Sequence, residues 1–399
     1  MTVSLAVDGG TPVRETEFPA WPVADAGEEA ALLRVLRSGK WGSTHGDEVV
    51  QFESEFAAAQ QATYATCVAN GTLALVAAYQ AAGVRPGDEV VVPPYTFIAT
   101  ASAALLMNAI PVFADVDPQT HLLDPAAVEK VITPRTCAVV AVHIGGRPCD
   151  LDALTEVCAR SGVALVEDAA QAHGASWRGR RVGAIGDLGT FSFQTSKNLS
   201  AGEGGIIVTN RADLNDAVYP LVNVGRTRGG AWYQHDHLGY NLRLTEFQAA
   251  ILRVQLTRLP EQARRREHNA RRLADGFGQF PDDLVLAPDD PAVTEHGRHL
   301  YLFRLRGATA VERHWFVEAL QAEGIPCSPG YPGLHRNNAI RRRVAELSQH
   351  DDHDEPAYDC PVTDQLAADT VWLPQQVLLG DESDTADVVT AVEKVLRHR

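Results

Sequence analysis

A single lysine lies between two strongly apolar stretches of the chain, and a buried lysine has chemistry of its own. Lys197 is in the segment TSKNLSAGEGG, between predicted strands at residues 190–193 and 206–209. Burial disfavours the charged ammonium, so such a lysine is costly unless it is paired or used. The neutral amine can attack a carbonyl group and form a Schiff base. We therefore take Lys197 as the candidate catalytic residue, with an ordinary loop lysine as the alternative.

An acidic pair follows another apolar strand. Glu167 and Asp168 come after the predicted strand at residues 163–166, and a carboxylate in that position needs a positive partner or a metal. His143, at the end of a different strand, and His173 raise a metal alternative in which both imidazoles and Asp168 bind a divalent ion. Their spacing matches no established metal signature, so we expect no metal.

Two further strand ends offer a cradle for an anion and an aromatic surface. Gly71 and Thr72 stand between a strand and a helix, where free amide groups and the helix dipole attract a phosphate. The same residues are also common in turns and caps. Tyr95 and Phe97 follow the strand at residues 90–92, where an aromatic ring covers a planar cofactor or fills the core.

Together these residue types suit one cofactor, pyridoxal 5'-phosphate. This cofactor needs a lysine for attachment, a carboxylate at its pyridine nitrogen, an aromatic cover and a phosphate cradle. The chain offers one of each at or beside the ends of predicted strands. Ligands of parallel sheets bind at that edge. The chain contains neither a P-loop nor a dinucleotide-binding glycine motif.

Alternating strands and helices position these residues. The rhythm from residue 64 to residue 167 predicts an α/β fold with a mostly parallel sheet covered by helices on both faces. A chain of 399 residues exceeds one compact core. We predict a large cofactor-binding domain at residues 1–260 and a smaller C-terminal α+β domain at residues 261–399.

Two later segments complete the predicted architecture. Pro260 is expected to separate a helix at residues 246–259 from a second helix at residues 261–277. The stretch at residues 341–355, rich in arginine and aspartate, is predicted to be a mobile surface segment.

Composition narrows the partners and the compartment. The net charge is -16 and the basic residues form no cluster, so nucleic acid and anionic membranes are not expected partners. No apolar stretch is long enough to cross a bilayer, and the first residues lack the pattern of a signal peptide. The six cysteines form no C-x-x-C pair. We expect a cytoplasmic protein with reduced cysteines.

Five motifs give the chain a specific resemblance. VANGTLAL, VVPPYTFIAT, VEDAAQAHGA, FSFQTSKNLSAGEGG and GYNLRLTEFQAAI resemble, in content and order, those of the DegT/DnrJ/StrS family. That family consists of pyridoxal-phosphate enzymes with the aspartate aminotransferase fold, fold type I, which act mostly on keto sugars or keto-cyclitols. The resemblance covers nearly the whole chain, and it implies this fold, this cofactor and aminotransferase activity.

The resemblance also implies roles for individual residues. Lys197 would bind the cofactor covalently and then move protons, and Asp168 would pair with the pyridine nitrogen. Phe97 would stack on the ring, and Gln171 would contact its phenolic side. Some family members replace the lysine with histidine and act as dehydratases, so the lysine of this chain favours transamination.

The phosphate group would have ligands from two subunits. In the family pattern, Gly71, Thr72 and Ser192 hold it from one side. Asn241 lies in the GYNLRL stretch, which reaches the phosphate from the neighbouring subunit. The resemblance therefore implies a homodimer with shared active sites.

Substrate contacts are expected from four residues. FPAWP and FSFQ resemble both the scyllo-inosose aminotransferases and the 3-amino-5-hydroxybenzoate synthases of the family, and SPGYPGLHRN resembles the sugar and cyclitol enzymes. Tyr331 and His335 of that last stretch, with Tyr95, are the candidates for substrate contact. Arg243 could bind the carboxylate of the donor in a bidentate manner or form a structural ion pair. Residues 226–237 and 328–337 are expected to determine substrate choice.

Three functions remain open from the sequence. The first is transfer of an amino group from glutamine or glutamate to a keto-cyclitol or keto-sugar in aminoglycoside-like secondary metabolism. The second is a 3-amino-5-hydroxybenzoate synthase-like dehydratase and aromatase of the same fold. The third is a binding module without catalytic activity.

Overall fold

The strands and helices alternate through the first half of the chain. The computed structural model describes residues 4–231, 233–351 and 358–399. The strands in chain order are β1 (Tyr64–Val68), β2 (Glu89–Val92), β3 (Ile110–Phe113), β4 (Thr136–Val142), β5 (Ala164–Asp168), β6 (Ser176–Trp177), β7 (Arg180–Arg181), β8 (Leu188–Ser192), β9 (Gly205–Thr209), β10 (Leu284–Val285), β11 (Val293–Glu295), β12 (Leu300–Leu305), β13 (Ser328–Pro329) and β14 (Thr370–Pro374). The α-helices are α1 (Ala26–Ser38), α2 (Glu48–Ala59), α3 (Gly71–Ala81), α4 (Ala99–Leu106), α5 (Pro125–Val131), α6 (Leu151–Ser161), α7 (Ala212–Val222), α8 (Glu246–Phe277), α9 (Ala310–Ala322), α10 (Asn338–Asp351), α11 (Pro361–Asp369) and α12 (Glu382–Leu396).

A seven-stranded sheet forms the centre of the larger core. Its order is β1-β9-β8-β5-β4-β2-β3. β9 runs antiparallel to β1 and β8, and the pairs from β8 across to β3 are parallel. The predicted mostly parallel α/β sheet is confirmed. Strands such as β2, whose four residues are all buried, are apolar on both faces because helices cover both sides.

The start of α3 shows how local sequence fixes an element at this sheet. The Asn70 side chain accepts a hydrogen bond of 3.0 Å from the Leu73 amide, which caps the helix. Gly71 is the first helical residue, and the apolar residues that follow are buried against the sheet. The helix therefore begins at the carboxyl end of β1, with its first amide groups facing that edge.

A second core surrounds a four-stranded antiparallel sheet with the order β10-β12-β14-β13. Helices α9 and α12 and the last turns of α8 pack on it, and so does Leu5 from the beginning of the chain. Residues of α10 and α11 instead pack on the larger core. The domain boundary at residue 260 stays a prediction, because α8 continues through it.

One prediction about local structure was wrong. Helix α8 is one helix of 32 residues that includes Pro260. Pro260 is exposed, so water can hydrogen bond to the carbonyl group that proline leaves without a donor. The segment at residues 341–355 is helical up to Asp351, residues 352–355 fall outside the described residues, and its mobility stays a prediction. Among the helices that the structure describes, none is long and apolar enough to cross a membrane.

A buried carboxylate attaches the beginning of the chain to the second core. Glu323 is fully buried and accepts hydrogen bonds from the Ala6 amide at 2.8 Å and the Val13 amide at 3.0 Å. Lys394 of α12 lies 2.8 Å from the same carboxylate. Replacing Glu323 by alanine would leave two amide groups without their acceptor and the Lys394 ammonium without its ionic partner, with only the Thr11 carbonyl oxygen at 2.9 Å still accepting from it.

We expect Glu323→Ala to lower the free energy of unfolding by roughly 3–5 kcal/mol, measured by urea denaturation. Glu318→Ala is the matched control, because Glu318 is an exposed residue of α9 and should change stability by less than about 0.5 kcal/mol. Equal effects of the two substitutions would contradict this account.

Candidate active site

Lys197 and Asp168 meet at the carboxyl edge of the central sheet. Lys197 lies in the loop between β8 and β9, and Asp168 ends β5, which is the neighbour of β8. Loss of water around the half-buried side chain lowers the pKa of Lys197 from 10.5 to about 8, and the negative charge of Asp168 opposes part of that change. A share of the amine is therefore neutral near physiological pH, as a reactive lysine requires.

Of the two predicted acids, only Asp168 is left with acceptor capacity toward the site. Glu167 is fully buried, and its carboxylate accepts hydrogen bonds from the amides of Gly183, Ile185 and Gly186. The Asp168 carboxylate accepts a hydrogen bond of 2.8 Å from the Thr100 hydroxyl and one of 3.3 Å from the Ala170 amide. Burial raises the pKa of Asp168, while these donors and the positive charge of Lys197 oppose the rise.

The metal alternative lacks its ligands. His143 Nε2 lies 3.0 Å from Glu167, and its Nδ1 accepts a hydrogen bond from the Cys149 amide at 3.0 Å. Both ring nitrogens of His143 are thus engaged away from Asp168. Within the described part of the chain, no group of three or more histidine, cysteine, aspartate or glutamate residues is placed to hold a metal ion.

A tight backbone crossing forms the candidate phosphate cradle. A Cβ atom on Gly71 would lie 2.8 Å from the Cβ of Ser192, so no side chain fits there. Ser192 ends β8 and Gly71 begins α3, so the structure brings these residues and Thr72 together at one helix N-terminus. Free amide groups at such a point bind anions.

Phe97 and Gln171 border the same edge. The Phe97 ring is 55% exposed, which is unusual for phenylalanine and leaves a flat apolar surface. Gln171 Oε1 accepts a hydrogen bond of 2.7 Å from the Gly145 amide, and Gln171 Nε2 donates one of 3.1 Å to the Tyr331 hydroxyl. The Tyr331 ring meets Trp372 of β14 edge-on, with ring centroids 4.5 Å apart. Tyr331 thereby links the second core to the larger one.

Two predicted substrate residues are fully buried in the structure. Tyr95 is fully buried beside Tyr331, and a Cβ on Gly330 would lie 2.2 Å from its hydroxyl oxygen. His335 is also fully buried, with Nε2 3.0 Å from Asp364. The chain crosses over Tyr95 at Gly330 and then turns His335 inward, so this placement does not support direct substrate contact by either residue.

Arg243 and Asn241 lie in the segment between α7 and α8. Asn241 is exposed, and Arg243 is partly buried. Among the described residues, Arg243 Nη1 has no hydrogen-bond partner, and no carboxylate forms a salt bridge with this arginine. Burial and the charge of Arg226 lower the pKa of Arg243. The structural ion pair considered from the sequence is therefore absent from the described contacts. In the predicted specificity segment at residues 226–237, residue 232 falls outside the described residues.

Thr100 is a contact that sequence reasoning missed. Its hydroxyl donates a hydrogen bond to Asp168, which lies 68 residues later in the sequence. The available signal is that Thr100 lies one helical turn after Phe97, within the motif VVPPYTFIAT.

The lysine after β8, the acid at the end of β5 and the cradle at the start of α3 define the class of the protein. A mostly parallel sheet with these residues at its carboxyl edge is the fold of the type I, aspartate aminotransferase-like, pyridoxal-phosphate-dependent enzymes.

Comparison with known proteins places the chain within this class. The profile of the DegT/DnrJ/EryC1/StrS aminotransferase family matches residues 22–393. An L-glutamine:2-deoxy-scyllo-inosose aminotransferase of Streptoalloteichus tenebrarius is 41% identical over 420 aligned positions, covering 100% of this chain and 99% of that protein. A 3-amino-5-hydroxybenzoate synthase of Amycolatopsis mediterranei is 40% identical over 379 positions, covering 94% of this chain and 96% of that protein.

A solved structure agrees with these matches. The crystal structure of a 3-amino-5-hydroxybenzoic acid synthase superposes with a TM-score of 0.90 at 38% identity, covering 98% of this chain and 100% of that chain. The chain belongs to the DegT/DnrJ/EryC1/StrS aminotransferase family, and it is an aminotransferase. The family resemblance and the prediction of an enzyme are confirmed. Membership of this family implies pyridoxal phosphate as cofactor.

The lowered pKa of Lys197 gives a test that needs no cofactor. We expect the rate at which trace acetic anhydride acetylates Lys197 in the cofactor-free protein to rise with pH and reach half its maximum at about pH 8. Mass spectrometry measures the modification, and the exposed Lys40 serves as an internal reference for the reagent.

Asp168→Asn should move the Lys197 midpoint to lower pH, because it removes the negative charge that favours the ammonium form. A wild-type midpoint near the ordinary lysine value of 10.5, or a shift to higher pH in Asp168→Asn, would contradict the assigned electrostatics.

Proposed function

We propose that the chain binds pyridoxal 5'-phosphate at the carboxyl edge of the central sheet, with Lys197 as the residue of attachment. The residues that we assign to the cofactor are Gly71, Thr72, Phe97, Asp168, Gln171, Ser192, Lys197 and, from a second subunit, Asn241. The backbone at Gly71, which has no room for a side chain, and the exposed Phe97 ring support this fit.

We assign separate roles in the reaction to Asp168 and Lys197. When bound, pyridoxal phosphate supplies a protonated ring that draws electrons from the carbon next to the reacting nitrogen. The ionised Asp168 carboxylate keeps the ring nitrogen protonated, because a nearby negative charge favours the charged form of a base. Lys197 Nζ takes the proton from the α-carbon of the donor, since its lowered pKa leaves a share of the amine neutral. The same amine returns a proton at the other reacting carbon.

We assign glutamine or glutamate as the donor and a keto-cyclitol or keto-sugar as the acceptor, within aminoglycoside-like secondary metabolism. Full-length similarity to L-glutamine:2-deoxy-scyllo-inosose aminotransferases, together with an intact lysine site, carries this assignment. The unpartnered guanidinium nitrogen of Arg243 suits the carboxylate of the donor. The Tyr331 hydroxyl accepts a hydrogen bond from Gln171, so its own proton is available to donate to the keto substrate.

A second function has a specific observation in its favour. The synthase of 3-amino-5-hydroxybenzoic acid superposes on this chain with a TM-score of 0.90. The alternative is therefore a dehydratase and aromatase that acts on an amino-shikimate-like ring and uses Lys197 as its base.

We further propose a homodimer with shared active sites. Leu238 is 95% exposed and Tyr233 is 84% exposed, and both lie on the segment that leads to Asn241. Large apolar side chains that are this exposed favour burial against a second subunit. We also propose a cytoplasmic location, which the six free cysteines support.

The two functions separate in a substrate test. We expect the purified enzyme with glutamine to convert bound pyridoxal phosphate to pyridoxamine phosphate, and then to aminate scyllo-inosose or 2-deoxy-scyllo-inosose, as measured by mass spectrometry. Lys197→Ala should reduce amination at least about 1000-fold, because the residue that moves both protons is lost. An aromatic amino acid formed from an amino-shikimate-like substrate, with no amination of cyclitols, would establish the alternative.

Shared active sites predict complementation between two inactive variants. Lys197→Ala and Asn241→Asp each impair both sites of their own homodimer, the latter by placing a negative charge against the phosphate. A heterodimer of the two variants, isolated with two different affinity tags, keeps one intact site and should recover about half of the wild-type activity. Activity that stays at the level of the parent variants would exclude sharing through Asn241.

A further inference from the structure

The carboxylate of Asp168 has a donor that belongs to no assigned part of the site. Thr100 Oγ1 lies 2.8 Å from Asp168 Oδ2, and both residues are buried. A buried carboxylate is costly, and hydrogen bonds to its charged form offset that cost. A hydroxyl at this distance therefore affects both the charge and the orientation of the carboxylate.

The first hydrogen bond runs from the Thr100 hydroxyl to the Asp168 carboxylate. An ionised carboxylate only accepts, so the Thr100 hydroxyl must donate its one proton to Asp168. The Thr96 hydroxyl lies 3.2 Å from that of Thr100, and it must then donate to Thr100. The three groups form a relay from Thr96 through Thr100 to Asp168. Each bond in the relay polarises the next and strengthens it.

Thr100 is itself held by two parts of the candidate site. Its carbonyl oxygen accepts a hydrogen bond of 2.9 Å from the hydroxyl of Tyr79, which belongs to the cradle helix α3. Its amide donates to the Phe97 carbonyl at 3.2 Å. One backbone turn thus carries the exposed Phe97 ring and the donor to Asp168, and Tyr79 fixes that turn to α3.

We propose that Thr100 is a positioning residue that keeps Asp168 ionised and aligned with the ring nitrogen of the cofactor, through the relay from Thr96. The inference rests on the proposed binding of pyridoxal phosphate. It adds that Thr100 fixes the positions of Phe97, Asp168 and helix α3 relative to one another.

A purely structural role predicts different results. If Thr100 only fills space in the core, valine serves as well as threonine, because the two side chains have nearly the same shape. If the hydroxyl acts on Asp168, valine removes the effect and serine retains it. Thr190 provides a matched control. It is a buried threonine of β8 that pairs with Asp168 of β5. Its hydroxyl donates a hydrogen bond of 3.3 Å to the Glu167 carbonyl oxygen rather than to the Asp168 carboxylate.

The first measurement is the affinity of the cofactor-free protein for pyridoxal phosphate, followed by absorbance. We expect Thr100→Val to weaken binding about tenfold, because a hydrogen bond to a charged group is lost. Thr100→Ser and Thr190→Val should stay within about twofold of wild type, and Thr96→Val should show a smaller loss than Thr100→Val.

The second measurement is the nitrogen NMR signal of the bound cofactor, labelled with ¹⁵N in its ring. Without the Thr100 hydroxyl, Asp168 becomes more basic and draws the shared proton away from the ring nitrogen. We expect the signal in Thr100→Val to move from the pyridinium position toward that of neutral pyridine, while Thr100→Ser keeps the wild-type signal.

Wild-type affinity and an unshifted signal in Thr100→Val would overturn the proposal. If that variant does not fold, Thr100→Ala and Thr100→Ser replace the comparison, and equal behaviour of these two would overturn it as well. A wild-type protein that binds no pyridoxal phosphate would refute the proposed function instead, so the two failures are distinguishable.

Discussion

The arrangement of the candidate site depends on one buried negative charge, the carboxylate of Asp168. A carboxylate at the end of a central strand, such as Asp168 in β5, costs several kcal/mol in lost hydration unless the protein compensates it. The compensation includes the Thr100 hydroxyl, the Ala170 amide and the positive amine of Lys197. The Ala170 amide lies two residues after Asp168 in the chain, whereas Thr100 lies in α4 and Lys197 lies in the loop between β8 and β9. The strand order of the sheet is what brings the two distant groups to Asp168.

Two of the surrounding imidazoles, those of His173 and His299, carry no charge near this carboxylate. Burial and the charge of Lys197 lower the pKa of His173 to about 3, and the same causes lower the pKa of His299. Both rings are therefore neutral at physiological pH. Neither ring therefore competes with the Lys197 amine for the Asp168 carboxylate. In a medium of low polarity, such a pair has a strong influence on a bound ring.

The sequence predicted what depends on local order and missed what depends on crossings between distant segments. Lys197, Asp168 and Gly71 were predictable because strand ends in a parallel sheet share one edge. The orientation of His335 was not, since it depends on a turn after the chain crosses Tyr95 at Gly330. Thr100 was missed because a hydroxyl paired across 68 residues leaves no periodic signal. The continuity of α8 through its proline depended on which side of the helix faces water.

The carboxylate of Glu323 gives the chain a particular order of assembly. During synthesis, the residues around Ala6 and Val13 leave the ribosome well before helix α12, which supplies Lys394. The second core therefore cannot complete this contact until α12 has emerged. Its strands and early apolar residues stay exposed in that interval, when nascent chains are most vulnerable to aggregation.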